Sequence, residues 1–430
     1  MAEQKLYDIG ISGGGPAGTV LASYLARAGL SVVLFERQSF PRHQIGESLL
    51  PFSLEVLQDI GLSARELPFI KKHGATFHSE RSLLQQRFSF KDSLNPAQTY
   101  AYSVERSEFD QFLLNHAIRQ GVEVRQPVAV DELVAVESGF TVNGSTRCRF
   151  FAHATGQAHR KKAPELYTTN RPEDRLSALF AYYPSRLSPQ ESNFGDVLIN
   201  LFYDDQCPRP QWGWVIPISH KVLSMGFVVN SEQFKSQMKS VQNHQSLMDA
   251  FLAKNTFYQP LLHSKTPLDG IHFRHDFQRI PKQITFDRQL LVGDAAGFID
   301  PVFSSGVHLA FTSAKLAAAS IIKCFETEDF SALSLRGYEI QYRRKFWYYY
   351  RFVKAFYQKN IVEKIFLPAG NQLQRSSFED KARQFTSILA GDSETHNPLL
   401  EVIQKTSLDI DPQVSTIFTS LENDRGTYGT

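Results

Sequence analysis

The chain is 430 residues long, 42% hydrophobic and 21% charged, with a formal net charge of +2. That length and apolar content support a large core in two or three domains. The near-balance of charge excludes a surface built for nucleic acid or membrane, and three scattered cysteines, Cys148, Cys207 and Cys324, exclude a disulfide framework and a zinc site.

The stretch Met1 to Tyr7 is polar and leads directly into a strand, so no signal peptide is read there. No apolar run reaches the roughly 20 residues of a membrane span, and Arg27 interrupts the longest early candidate. The expected setting is soluble, reducing and cytoplasmic.

Leu6 to Ser12 is predicted as a first strand, and Gly13-Gly14-Gly15-Pro16-Ala17-Gly18 opens a helix running to about Ala28. Gly29 ends it, and Ser31 to Phe35 forms a second strand finishing at Glu36. This βαβ unit carries GxGxxG with an acid about 20 residues on, the pattern of a dinucleotide site. Gly13 permits the tight turn, Gly15 lets backbone approach a pyrophosphate, Gly18 lets helix and strand pack closely, and Glu36 is placed for a ribose hydroxyl.

Gly46-Glu47-Ser48 enters the next helix, where the default work of Glu47 and Ser48 is capping; such a turn could equally hold a flavin ring edge. Lys71-Lys72-His73-Gly74 follows a short helix. Lysine pairs in loops are usually solvated, yet one beside apolar residues could point inward with a perturbed pKa. His73 reads as a turn residue. Arg106 starts a helix running past His116, and its partner is either a phosphate or a surface acid such as Glu105 or Asp110. Strands are predicted over Gly121–Pro127, Glu132–Val142 and Ser145–Ala152, the last two joined by an Asn143-Gly144 turn. Ala154-Thr155-Gly156 then supplies small residues against which a cofactor could lie.

Between Leu176 and Phe227 the pattern becomes aromatic and alternating, as in an antiparallel sheet. Trp212 and Trp214 lie two apart and so share a face; sheet aromatics of this kind are more often core than active site. At Val292 a buried strand ends, and Gly293-Asp294 opens a glycine-punctuated loop to Ser304-Ser305-Gly306. A helix starts there, so the turn offers unpaired N–H groups and a positive dipole end, suited to a small anion. The null alternative is an ordinary N-capped connection. Arg343, Arg344, Lys345, Arg351, Lys354, Lys359 and Lys364 then alternate with aromatics on helices whose cations are expected on the solvated face, where they would suit an acidic partner. Past Asn371 the sequence is polar and uninformative.

Taken together, GxGxxG at Gly13–Gly18, GESLLP at Gly46–Pro51, KKHGA at Lys71–Ala75, WGWVIP at Trp212–Pro217 and GDAAGFIDPVFSSG at Gly293–Gly306 resemble a flavin-dependent halogenase over Leu6 to Tyr350. WxWxIP separates that family from related flavin hydroxylases and isoprenoid reductases. The resemblance implies an α/β, Rossmann-like FAD-binding fold of the aromatic-hydroxylase type, with an antiparallel substrate sheet and a helical C-terminal region. FAD-binding segments are expected at residues 1–75, 100–165 and 276–330, the substrate sheet at 76–99 and 166–275, and the helical region at 331–430.

On this resemblance Gly13, Gly15, Pro16, Ala17, Gly18, Glu36, Arg37, Glu47, Ser48, Arg106, Gly293, Asp294, Gly306 and Val307 bind FAD. Chloride or bromide lies at the N–H groups of Ser305 and Gly306. Hypohalous acid passes Trp212 and Trp214 to a lysine preceding x-Gly, which selects Lys72. The single fingerprint favours reduced FAD from a separate flavin reductase, and no metal is expected. Tryptophan halogenases carry glutamate before the turn serine where Phe303 stands here. That departure points to the shorter members acting on a pyrrolyl group held by a carrier protein, or else on a phenol. His153 replaces an aspartate usual before Ala-Thr-Gly. The rival expectations are an NAD(P)H-using flavin hydroxylase or isoprenoid reductase, and a non-catalytic docking module.

Overall fold

The computed structural model describes residues 5–63, 67–191, 193–204, 207–366 and 372–423. Its first sheet runs, in order, Thr285–Phe286, Gln289–Leu291, Thr146–His153, Leu6–Ser12, Val32–Phe35 and Glu123–Arg125. The pairs from Gln289–Leu291 to Glu123–Arg125 are all parallel. Parallel strands are covered on both faces and read as unbroken apolar runs; Val32–Phe35 is buried at every position. Ile9, Ile11 and Leu34 face the main core, while Tyr7, Val33 and Phe35 face a second cluster with Phe140 and Val142.

The stretch expected as one strand over Glu132–Val142 divides into Leu133–Val136 and Gly139–Val142, which pair with each other. The cause is Gly139. Its φ of +147° turns the chain against the backbone of Cys148 and Arg149, where a Cβ would come within 2.1 Å of the Cys148 carbonyl.

The second sheet has seven strands in the order His272–His275, Leu176–Pro184, Val222–Asn230, Cys207–Pro217, Val197–Asp204, Gly74–Ser79 and Leu84–Ser89. It is antiparallel except where Val197–Asp204 runs parallel to Gly74–Ser79. A parallel pair needs a long crossover, and here the chain visits the first sheet between the two strands. Side-chain alternation splits the two faces: Phe180, Tyr182, Trp212 and Trp214 turn to the main core, and Leu179, Tyr183, Val215 and Phe227 to an outer cluster.

Helix Ser305–Thr327 has the length and composition to cross a membrane, but in this fold it is a core helix. Val307, Phe311, Ala314, Ala318 and Ile321 are buried in the main core. Among the described residues it alone passes that test.

The C-terminal region is helical as expected, and one reading within it is corrected. Past Asn371 the chain forms helices Gln372–Ala390, Pro398–Lys405 and Pro412–Asn423, which bury Phe385, Ile388 and Leu389, then Leu399, Leu400 and Ile403, then Val414 and Phe418. The basic helix Arg336–Lys359 presents no open row of cations. Arg343 and Lys354 are buried against Glu339 and Asp174, Lys345 pairs with Glu394, and Arg351 donates to the carbonyls of Ile403, Gln404 and Thr406. Of the seven named cations, Arg344, Lys359 and Lys364 are exposed. Arg343 is taken by an acid one turn back on its own helix, and the other three by acids and carbonyls distant in sequence.

Candidate functional site

The glycine loop is built as its spacing predicts. Gly13 has φ +113°, and a Cβ there would lie 2.2 Å from the Ala154 carbonyl oxygen; a Cβ on Gly18 would lie 1.9 Å from that of Gly13. Pro16 sits at the helix start with its fixed φ suited to that position, and Ala17 packs where a Cβ on Gly293 would come within 2.6 Å. Glu36 is buried, one carboxylate oxygen accepting from the Gly14 N–H at 2.8 Å and the other from Gln38 at 2.9 Å. Arg37 is exposed. A bare backbone cradle at a helix N-terminus, closed by a buried acid at the end of the second strand, fits the pyrophosphate and ribose of FAD.

Arg106 is buried rather than on the surface. It grips Asp110 through Nε at 2.8 Å and Nη2 at 2.9 Å and reaches the Ile45 carbonyl. The acid is one of the two expected, and the buried pair holds the guanidinium against the Ile45 and Gly46 carbonyls. Sequence reasoning passed over Arg42: it lies 3.2 Å from Asp110 and 3.3 Å from the Cβ position of Gly15, directly over the glycine loop. A second arginine shortly after Glu36, beyond Arg37, was the available signal. Asp294, desolvated beside Arg106, is pushed up to about 6.

The capping expectation for Glu47 and Ser48 is overturned. The helix begins only at Ser53, and Gly46–Leu49 is extended: Ser48 bridges Ser103, the Leu49 N–H donates to Tyr102 at 2.9 Å and the Glu47 carbonyl accepts from Val104 at 2.7 Å. Ser48 then faces Lys72, whose Nζ donates to its hydroxyl at 2.7 Å and to the Leu49 carbonyl at 2.8 Å. Strand Ile70–Lys72 separates the two lysines by alternation: Lys71 is exposed over Tyr100, whereas Lys72 is buried 5.2 Å from the Phe90 ring centre. Burial pushes the Lys72 ammonium down to about 7, with Asp196 opposing. A lysine titrating there has a free amine at neutral pH.

Lys72 shares a small cavity with Leu50, Phe77, Ile199, Phe303, Ser304 and Leu389. Ser304 has φ +55° and caps helix Ser305–Thr327 without a side-chain hydrogen bond, so the first-turn N–H groups of Ser305, Gly306 and Val307 have no acceptor within the helix. Ser305 and Val307 are buried. The anion-suited turn and the amine therefore meet at one enclosed space.

Trp212 and Trp214 are buried with ring centres 5.8 Å apart. In register, Trp214 lies opposite Ile199, which lies opposite Phe77, so the indole wall continues into the cavity lining. Two residues not foreseen hold it. The Trp212 indole donates to the Tyr357 hydroxyl at 2.8 Å, which donates to Asp300 at 3.1 Å; burial pushes the Asp300 carboxyl up to about 7. The His153 side chain bonds Gln289, tying the two central strands where an acid was usual.

Among the described residues, the cluster that could hold a metal, His43, Asp269 and His272, is partly exposed, with the two imidazoles stacked 4.4 Å apart.

Comparison with known proteins agrees with this geometry. An FAD-binding domain family matches residues 7–191, and the tryptophan halogenase family matches residues 206–386. The chain is 27% identical over 387 residues to a 1H-pyrrole-2-carbonyl-[peptidyl-carrier protein] chlorinase of Pseudomonas fluorescens, covering 84% of this chain and 86% of the relative. It is 30% identical over 385 residues to a tryptophan 2-halogenase of Chondromyces crocatus, covering 84% and 70%. The solved myxobacterial chondrochloren halogenase CndH superposes with a TM-score of 0.76 at 28% identity over 97% of both chains. The cradle, the buried lysine and these likenesses converge: the chain belongs to the flavin-dependent halogenases, enzymes that use FAD and halide to halogenate aromatic rings.

Proposed function

We propose that this halogenase places chlorine or bromine on a pyrrolyl group carried by a carrier protein, or else on a phenol, through Lys72. The observation carrying this reading is the shared cavity of Lys72 and Ser304, which brings the amine to the start of the halide turn. Gly13, Gly15, Pro16, Ala17, Gly18, Glu36, Arg106, Gly293 and Asp294 would hold FAD, with Arg42 added over the phosphates. When bound in reduced form, delivered by a separate flavin reductase, FAD supplies with oxygen the two-electron oxidation of halide to hypohalous acid. Ser305 and Gly306 hold the halide by backbone N–H groups. Trp212 and Trp214 keep the passage dry and narrow, and Lys72, neutral in part near pH 7, captures or orients the electrophilic halogen for the ring. Phe303 in place of a carboxylate keeps the lining apolar. The likeness to the pyrrolyl-carrier chlorinase supports the tethered pyrrole.

The test is mass spectrometry of pyrrolyl-loaded carrier protein and of simple phenols, each offered with both halides and a flavin reductase. Halogen on the carrier-bound pyrrole is the expected result. Halide-independent NAD(P)H oxidation with hydroxylated product would count against this reading.

Space adds a second expectation. The cavity at Lys72 is about 10 Å³, room for one water, whereas a dry cavity of roughly 150 Å³ takes benzene. An acceptor ring must therefore displace side chains, and Leu389, on the last turn of helix Gln372–Ala390, is one that closes the space. Leu389→Ala should destabilise the fold by about 2–5 kcal/mol and raise kcat/KM for bulkier phenols. Unchanged acceptor preference would place ring entry elsewhere.

A further inference from the structure

We propose that Glu47 is the acid that delivers the proton consumed when halide is oxidised at the Ser305–Gly306 turn. This rests on the reading above that halide binds at that turn. Glu47 and Ser48 lie in extended chain, so they face opposite ways. Ser48 meets Lys72, and Glu47 turns to the second sheet, where Tyr182 donates to its Oε1 at 2.6 Å. Its Oε2 is sealed from solvent and is met by no hydrogen bond of ordinary geometry, although the Ser224 hydroxyl faces the carboxyl. A buried carboxylate oxygen without a donor is rare and calls for an explanation in function.

Its position supplies one. Gly46, with φ +107°, packs so that a Cβ would touch Arg106 and lie 3.7 Å from Val307 in the first turn of the halide helix. The Trp214 indole donates to Ser224 at 3.2 Å, and the Ser224 hydroxyl stands beside the Glu47 carboxyl. The acid therefore sits where the halide turn, the indole wall and the lysine strand meet.

The chemistry requires such a group. Reduced FAD, oxygen, halide and one proton give FAD, hypohalous acid and water. The O–O bond breaks as halide loses two electrons and bonds one oxygen; the other oxygen leaves as water. Bound reduced FAD would supply two electrons and two hydrogens, and Glu47 supplies the remaining proton, to be restored once per turnover when the site opens to exchange its contents. Burial holds the carboxyl at about 7, protonated in half the molecules at neutral pH; the hydroxyls of Ser224 and Tyr182 and the charge of Arg106 oppose this, and Glu105 adds to it. Asp110 and Asp294 lie beyond Arg106.

Lys72 titrates in the same range, so the experiment uses a Lys72→Ala background. Hypohalous acid released to a soluble scavenger is measured against pH with saturating reduced FAD and bromide. Release should fall as pH rises through about 7. Adding Glu47→Gln should lower it on the order of 10²-fold and remove that limb, with FAD affinity retained. Independently of turnover, infrared titration of the FAD-free protein should show a carboxyl band ionising near neutrality that Glu47→Gln removes. Retention of rate and limb, absence of the band, or loss of FAD affinity with the limb intact would each overturn the proposal. Ring halogenation by Lys72→Ala itself would refute the lysine assignment, while the comparison at Glu47 would still stand.

Discussion

Lys72→Met is expected to remove ring halogenation while making the protein more stable at neutral pH. The activity loss should be on the order of 10³-fold, because methionine fills the same space but has no amine to carry an electrophilic halogen to the ring and no N–H to orient it; its thioether would instead consume the oxidant as a sulfoxide. The stability gain follows from linkage. Folding lowers the Lys72 pKa from 10.5 to about 7, so the unfolded chain binds the proton more tightly. Stability from this residue is complete above the unfolded value and declines as pH falls toward the folded one. At pH 7 the penalty is roughly 4 kcal/mol. Methionine abolishes it but strips donors from the Ser48 hydroxyl and the Leu49 carbonyl, at about 1 kcal/mol each. A net gain of about 2 kcal/mol at pH 7 should shrink and then reverse toward pH 10 in denaturant unfolding. A variant less stable at pH 7 than the parent would show that Lys72 is charged and satisfied in the fold.

That a functional group should cost stability also explains which parts of the site could be read from the sequence. Much of the cradle was legible because its pattern is local: a Cβ on Gly18 would strike Gly13 and Glu36 accepts from Gly14, although the Ala154 backbone that closes on Gly13 comes from a distant strand. The lysine pair was read as a loop, so the short strand Ile70–Lys72, whose alternation buries Lys72 and exposes Lys71, was missed, and the motif alone singled out Lys72. Of the two readings left open for Glu47 and Ser48, the capping one failed because a capping pattern is local, whereas the partners that extend this segment, Ser103 and Tyr102, lie far along the chain. The basic helix failed in part for the same reason. Charge spacing places Glu339 one turn before Arg343, a local pair that was passed over, but it says nothing of Asp174 arriving from a distant segment to neutralise Lys354. The tail says little by itself because its apolar residues are spread thinly over three helices and find their partners elsewhere, as Phe385 does among Phe77, Phe88 and Phe303. Local rules recovered local devices, and the closing of the cavity was settled by contacts between distant segments.

The cradle itself gives the other large effect. Gly18→Ala places a methyl 1.9 Å from the Gly13 carbonyl oxygen, a separation no relaxed structure tolerates. Relief would require Gly13 to retreat, yet Gly13 is already held between Phe35, whose carbonyl takes its N–H at 2.8 Å, and Ala154, whose backbone occupies the space a Cβ would need. The movable partner is therefore helix Pro16–Arg27, and shifting it lifts its N-terminus from the loop and unpacks it from helix Ser305–Thr327. The expected cost is about 3 kcal/mol of stability together with at least a hundredfold loss of FAD affinity, read by flavin absorbance after reconstitution and dialysis. Gly29→Ala is the matched control: its Cβ would meet no atom within 4 Å, so it carries the strain of its left-handed φ without touching the cradle. It should lose stability but keep FAD. Equal flavin retention by the two variants would mean that close packing of helix on strand is not what holds the phosphate-binding loop in shape.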